Sequence, residues 1–278
     1  MAAPFQDAVV LFGDSITSQQ YVPGSMQARF CDAYRRTLDI LNRGYGGYNT
    51  RWARQMFDTI FEKKENAAHV PAVRLVTIWF GANDSVLADA EQTVSQHVPL
   101  SEYEANLRFF LDNLTSPTSP YAVAHEQGLN IVLVTPPPLC VSIMGDCPFA
   151  RERVPAITKE YVDVVLRLGE EYAAKATKDG NWRLGTVDMW DATIKAAGGE
   201  GEELAKYLSD GLHLTAEGYA TFWAEYTKLV KTVFKGRGLD WESLDDLPLR
   251  MPPWDQVDAT KPDVLGGMRL PPIRTEQL

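Results

Sequence analysis

Cysteine is scarce in this chain: three residues among 278, an odd number that excludes a closed disulfide framework. Sparse thiols fit a reducing compartment, where a Cys140–Cys147 bridge is disfavoured and Cys31 reads as a packing residue on a helix. Histidine is scarce too, with four residues, and none lies at ligand spacing from Cys140 or Cys147, so no zinc site is expected. Basic charge is in deficit. Against 37 Asp and Glu stand 27 Lys and Arg, and the net charge of −10 has the wrong sign for nucleic acid or an anionic membrane surface. Long apolar runs are missing as well: Ala8–Phe12 is too short for a secretory core or a membrane span, and Met1–Asp7 carries no basic residue. No internal repeat is visible. These absences predict a soluble, cytoplasmic protein whose partner is a small molecule.

Short apolar runs recur at Ala8–Phe12, Asp39–Asn42, Arg74–Phe80, Asn130–Thr135 and Leu184–Met189, and helical patterns fill the gaps at Ser25–Leu38, Thr50–Glu65, Ser101–Leu114, Ala150–Lys178 and Thr215–Lys235. Strands alternating with helices predict an α/β fold, a parallel sheet covered on both faces. Ser101 with Glu104 forms a capping-box pattern, and Thr215 suits the N-cap of the last helix. The breaks at Pro117–Pro120 and Pro136–Pro138 read as loops, because regular pattern resumes at once on either side. Residues 1–236 are therefore expected to form one domain. From 237 to 278 the chain changes character: Pro248, Pro252, Pro253, Pro262, Pro271 and Pro272 forbid long helices, while Trp241, Leu249, Met251 and Trp254 are too apolar for a solvated tail. This extension is expected to pack on its own domain, or on a partner subunit, which would make the protein a homodimer.

The chemistry-bearing residues stand where strands end. Ser15 follows the first run in Gly13-Asp14-Ser15-Ile16, and open α/β sheets place their ligands at such carboxyl ends. A serine hydroxyl needs a base within hydrogen-bond reach, itself held by a third group. Asp210-Gly211-Leu212-His213 supplies both from one turn: Asp210 accepts from one imidazole nitrogen and the other faces Ser15. Taken alone, that pair also fits a plain surface loop. Asn83, in Gly81-Ala82-Asn83-Asp84, offers an amide to an oxyanion without adding charge, or serves simply as a turn residue. Gly44, Gly46 and Gly47 let backbone N–H groups approach a substrate closely. Asp14 is expected to brace the serine turn and Asp84 to hold the loop that carries Asn83. His69, His97 and His125 have no acid arranged as Asp210 is for His213, and Asp188 with Asp191 is too thin a set for a cation site.

In order and spacing these blocks resemble the SGNH, or GDSL, serine esterases and lipases, over about residues 8 to 235. The resemblance implies a flavodoxin-like three-layer α/β/α sandwich with a five-stranded parallel sheet. It also implies a catalytic triad of Ser15, Asp210 and His213, and an oxyanion hole made by the Ser15 and Gly47 N–H groups with the Asn83 side chain. Asn42–Trp52 and Thr135–Pro138 are similar to the isoamyl acetate-hydrolysing esterase branch, which implies short-chain esters, acetate esters of small alcohols above all, and no metal or organic cofactor. Gly46 stands where many members carry serine, so substrate preference stays open. Lysophospholipase, thioesterase and carbohydrate acetylesterase activities fit the same site, and a non-catalytic scaffold is the alternative from another class. The loop after the fourth run places Ile143 and Met144 as substrate-binding candidates, Met being suited to irregular apolar cavities.

Overall fold

In a computed structural model, residues 6–125, 128–145, 152–249, 251–258 and 260–261 are described. Five strands, β1 (Asp7–Gly13), β2 (Leu38–Gly44), β3 (Val73–Trp79), β4 (Asn130–Val134) and β5 (Arg183–Val187), form one sheet in the order β2-β1-β3-β4-β5. Every pairing is parallel. The chain winds outward from β1 to β2, then crosses back over β1 to start β3. Winding direction thus reverses between β1 and β3, and the crevice outside their carboxyl ends is where such sheets hold ligands.

Successive residues of β1 point to opposite faces, and both faces are covered, which is why the strand reads as a continuous apolar run. Val9 and Leu11 pack with Phe30 of α2 (Met26–Ala33), Met189 at the start of α7 (Met189–Ala197), and Phe222 and Tyr226 of α8 (Ala216–Lys231). Val10 and Phe12 face Phe57 of α3 (Thr50–Ile60), Phe110 of α4 (Leu100–Thr115) and Leu168 of α6 (Pro155–Asp179). Two further helices are short: α1 (Ser15–Ser18), directly behind β1, and α5 (Val141–Met144), in the connection between β4 and α6. The result is the three-layer α/β/α arrangement expected from the alternation of patterns.

Several expected boundaries move. The helix read over Ser25–Leu38 stops at Ala33, because Arg36 takes a left-handed φ of 66° and Thr37 donates its hydroxyl to Tyr34 O at 2.7 Å, turning the chain into β2. The helix expected to run to Glu65 ends at Ile60, and a 3₁₀ turn follows at Lys64–His69. Ser101 caps nothing: α4 starts at Leu100 behind Pro99, and Glu104 pairs instead with Arg108 and Arg167. Thr215 does cap α8, its hydroxyl accepting from Gly218 N. The helix expected from Ala150 begins at Pro155, a residue suited to a first turn, and α8 ends at Lys231. Cys31 is exposed rather than packed, and Cys140 carries a buried free thiol; Cys147 lies outside the described residues.

Beyond α8 the chain folds back onto α2 and α8. Arg237 donates to Asn130 Oδ1 and to the carbonyls of Leu129 and Asn181. Leu239 is fully buried, and Trp241 stacks on Tyr226 with ring centroids 6.1 Å apart. The Asp246 carboxylate accepts from the N–H groups of Gly238, Leu239 and Asp240, which fixes this turn. Among the described residues no helix is long and apolar enough to cross a membrane.

Candidate active site

Ser15 is the first residue of α1, directly behind β1, and its turn is braced from within. The Asp14 carboxylate accepts from Ile16 N at 2.9 Å as the N-cap. Tyr219 of α8 donates its hydroxyl to Ile16 O at 2.5 Å, tying the turn to the helix that follows His213. N–H groups of a first helical turn have no acceptor within the helix, which leaves that of Ser15 available to a ligand.

The Asp210–His213 turn is held just as tightly. Asp210 Oδ1 accepts from Leu212 N at 3.0 Å and His213 N at 2.8 Å, leaving Oδ2 for His213 Nδ1 at 2.7 Å. Gly211 is required here. Its φ is +88°, and a Cβ would lie 2.5 Å from Met144 Cγ and 2.6 Å from Cys140 O. Because an ionised carboxylate only accepts, Nδ1 carries the imidazole proton and Nε2 presents its lone pair. That lone pair faces the Ser15 hydroxyl at 2.8 Å. Partial burial of Asp210 opposes ionisation, yet the hydrogen bonds from the His213 side chain and backbone outweigh it and hold the carboxyl down to about 2.

On the other side of Ser15 lie the glycine turn and Asn83. Tyr48 N donates to Tyr45 O across Gly46 and Gly47, and Gly47 takes the positive φ of 78° that the third residue of such a turn needs. A Cβ on Gly46 would sit 4.0 Å from the Ser15 Cβ, so this turn faces the serine. Asn83, only 3% exposed, donates one Nδ2 hydrogen to Tyr48 O at 2.8 Å and keeps the second. Asp84 ties the loop down by accepting from both the N–H and the hydroxyl of Thr50. Burial pushes the carboxyl groups of Asp14 and Asp84 up, to about 7 and about 6 respectively, and the nearby Asp84 charge adds to the rise at Asp14.

The remaining candidates fall elsewhere. Ile143 is partly exposed on α5, whereas Met144 is buried beneath Gly211 and so supports the Asp210–His213 turn from the core side. Asp188 caps α7 by accepting from Asp191 N, and Asp191 pairs with Lys195. His97 and His125 each bond to a backbone carbonyl, those of Val86 and Ser119. Sequence reasoning missed Arg153, Gln96 and Tyr219, whose partners lie far along the chain and leave no local pattern. It also passed over the aromatic wall beside the glycine turn, where Tyr45, Tyr48 and Trp52 stand in series with centroids 5.4 and 5.6 Å apart.

A model of the GDSL-like lipase/acylhydrolase family matches residues 11–221. The chain belongs to that family. It is 32% identical over 262 residues to the isoamyl acetate-hydrolyzing esterase 1 homolog of Bos taurus, covering 92% of this chain and 90% of the relative. A GDSL esterase/lipase of Arabidopsis thaliana is 33% identical over 265 residues, covering 91% of this chain and 95% of the relative. Among solved structures, a lipase/acylhydrolase from Enterococcus faecalis superimposes with a TM-score of 0.55 at 22% identity, over 81% of this chain and 96% of that one. An acetylxylan esterase from Geobacillus stearothermophilus gives 0.55 at 18% identity, over 84% and 95%. The sheet order and these likenesses agree on the SGNH hydrolase fold, of α/β class, and the protein is a carboxylic ester hydrolase of the GDSL family.

Proposed function

We propose that this hydrolase cleaves short-chain carboxylic esters, acetate esters of small alcohols in particular, through an acyl group carried on Ser15. The observation that carries the reading is the unbroken relay from Asp210 Oδ2 through His213 to Ser15 Oγ, with separations of 2.7 and 2.8 Å. In this mechanism His213 Nε2 takes the hydroxyl proton as Ser15 Oγ attacks the ester carbonyl. The carbonyl oxygen gathers negative charge facing the Ser15 and Gly47 N–H groups and the spare hydrogen of Asn83 Nδ2. His213 then protonates the departing alcohol, and water repeats the sequence in reverse to release the acid and free the serine. Every proton moves between Ser15, His213 and the reactants, so this cycle uses no metal or organic cofactor.

The short-chain preference is supported by the relatives named for isoamyl acetate hydrolysis and by the Tyr45, Tyr48 and Trp52 wall, which offers a small alcohol an apolar surface. A cytoplasmic setting is supported by the free thiols of Cys31 and Cys140. The test is turnover of p-nitrophenyl esters from acetate to palmitate by the wild type and by Ser15→Ala. Serine-dependent turnover peaking at the shortest chains is expected. A peak at long chains would move the substrate class to lipid, and turnover that survives Ser15→Ala would refute the nucleophile.

A further inference from the structure

The loop between β3 and α4 is gripped by two residues that lie just ahead of α6. Glu152 O accepts from Leu87 N at 2.8 Å, and Glu152 Oε2 accepts from Gln92 Nε2 at 2.6 Å. Arg153, only 4% exposed, reaches into the same loop. Its Nε donates to Ala82 O at 3.1 Å, while Nη2 donates to Asn83 Oδ1 at 3.1 Å and Gln96 Oε1 at 3.4 Å. Gln96 passes the link onward, its Nε2 donating to Gly47 O at 2.7 Å.

A guanidinium only donates, so the group of Asn83 that faces it must be the carbonyl oxygen. A backbone carbonyl only accepts, so the group that faces Tyr48 O must be the NH₂. Together the two partners exclude the flipped amide. The spare Nδ2 hydrogen is thereby held on the side of the site, and the Gln96 link holds the peptide of Gly47 at the same time. A donor contributes most to catalysis when it is fixed before charge develops. We propose that Arg153 is a positioning residue for the ester hydrolysis, fixing the Asn83 amide directly and the Gly47 turn through Gln96. This rests on the reading of Asn83 and Gly47 as oxyanion donors. Arg153 itself touches neither the substrate nor the reacting atoms.

Two consequences follow. Lysine cannot replace the fork, because a single ammonium does not span Ala82 O, Asn83 Oδ1 and Gln96 Oε1 together. Part of the effect of removing Arg153 must also run through Asn83, the rest through Gln96 and Gly47. The experiment is a double-mutant cycle on a short p-nitrophenyl ester with kcat and KM measured separately, using wild type, Arg153→Lys, Asn83→Ala and the double variant. A misplaced donor lowers kcat by roughly tenfold to a hundredfold. The expected result is that loss for Arg153→Lys with KM within about twofold of wild type, and a clearly smaller fold-loss, carried by the Gly47 arm alone, when the same change is made in Asn83→Ala. Equal fold-losses in both backgrounds, an unchanged kcat, or a change confined to KM would overturn the proposal. If Asn83→Ala alone leaves kcat intact, the oxyanion assignment fails first, and that outcome is separate. Should Arg153→Lys not fold by circular dichroism, Gln96→Met interrupts the arm that reaches Gly47. A drop in kcat at constant KM supports the positioning role, and an unchanged kcat refutes it.

Discussion

Changing Asp210 to asparagine removes one charge and one acceptor while keeping the shape of the turn. The amide oxygen can still accept from Leu212 N and His213 N, which Oδ1 does now at 3.0 and 2.8 Å. The group left facing His213 Nδ1 is then an NH₂, a donor, so the imidazole must accept there and carry its proton on Nε2. A protonated neutral Nε2 has no lone pair for the Ser15 hydroxyl 2.8 Å away. At this place in a Ser-His-Asp relay the exchange lowers turnover by about 10⁴-fold. Because the Asp210 side chain is 40% exposed, water screens part of its field, and roughly 10³- to 10⁴-fold is expected, about 4 to 5.5 kcal/mol of barrier. Stability should change far less. Holding the carboxyl at about 2 rather than 3.8 corresponds to at most about 2.5 kcal/mol, reduced to about 1 kcal/mol for a group this exposed. This contribution is complete above the unfolded value of 3.8 and is lost as pH falls through about 2. At pH 7 the variant should therefore melt only roughly 2 to 4 °C below wild type. Steady-state kcat on p-nitrophenyl acetate and a thermal melt of the same preparation test both numbers. A kcat within tenfold of wild type in a folded Asp210→Asn protein would refute the tautomer argument.

Asn83→Ala should lower kcat by about 10²- to 10³-fold with little change in KM, since the spare amide hydrogen serves the transition state; a rise in KM alone would make Asn83 a substrate contact. Asp14 and Asp84 have folded pKa values raised to about 7 and about 6, so their protonated forms favour the folded state. That stabilisation is complete below 3.8 and is lost as pH rises through about 6 to 7, so Tm should fall between pH 5 and pH 8. Asp14→Asn keeps an oxygen for Ile16 N and should flatten that fall; parallel curves for the two proteins would contradict it. Trp241→Ala, which removes a ring packed against Tyr34, Trp223 and Tyr226, should reduce stability by about 2 kcal/mol and leave kcat unchanged, as read by urea unfolding and ester turnover.

The parts of this fold that were readable are those whose partners are local or whose burial is uniform. The strand at Ala8–Phe12 is legible because both faces of the sheet are covered, so no polar residue interrupts it. Ser15, Asn83 and the Asp210–His213 turn are legible for a related reason: each occupies a short motif beside a strand or helix end. Helix ends were less legible. Ser101 offers a capping pattern, but Pro99 starts the helix one residue before it and Glu104 is drawn into ion pairs. Arg36 gives no warning of its left-handed turn, which is imposed by the need to enter β2 at Leu38. The supports of the site were least legible, since Arg153 meets Asn83 and Gln96 across 70 and 57 residues and Tyr219 meets Ile16 across 203.

The central claim, that Ser15 is the nucleophile of the Asp210–His213 relay, is tested most directly by covalent capture. A p-nitrophenyl alkylphosphonate phosphonylates an activated serine, and intact mass followed by peptide mapping locates the adduct. The account predicts one adduct per chain, carried on Ser15, with activity lost in proportion and labelling much slower in Asp210→Asn. An adduct on another residue, or full activity in a protein labelled at Ser15, would contradict it.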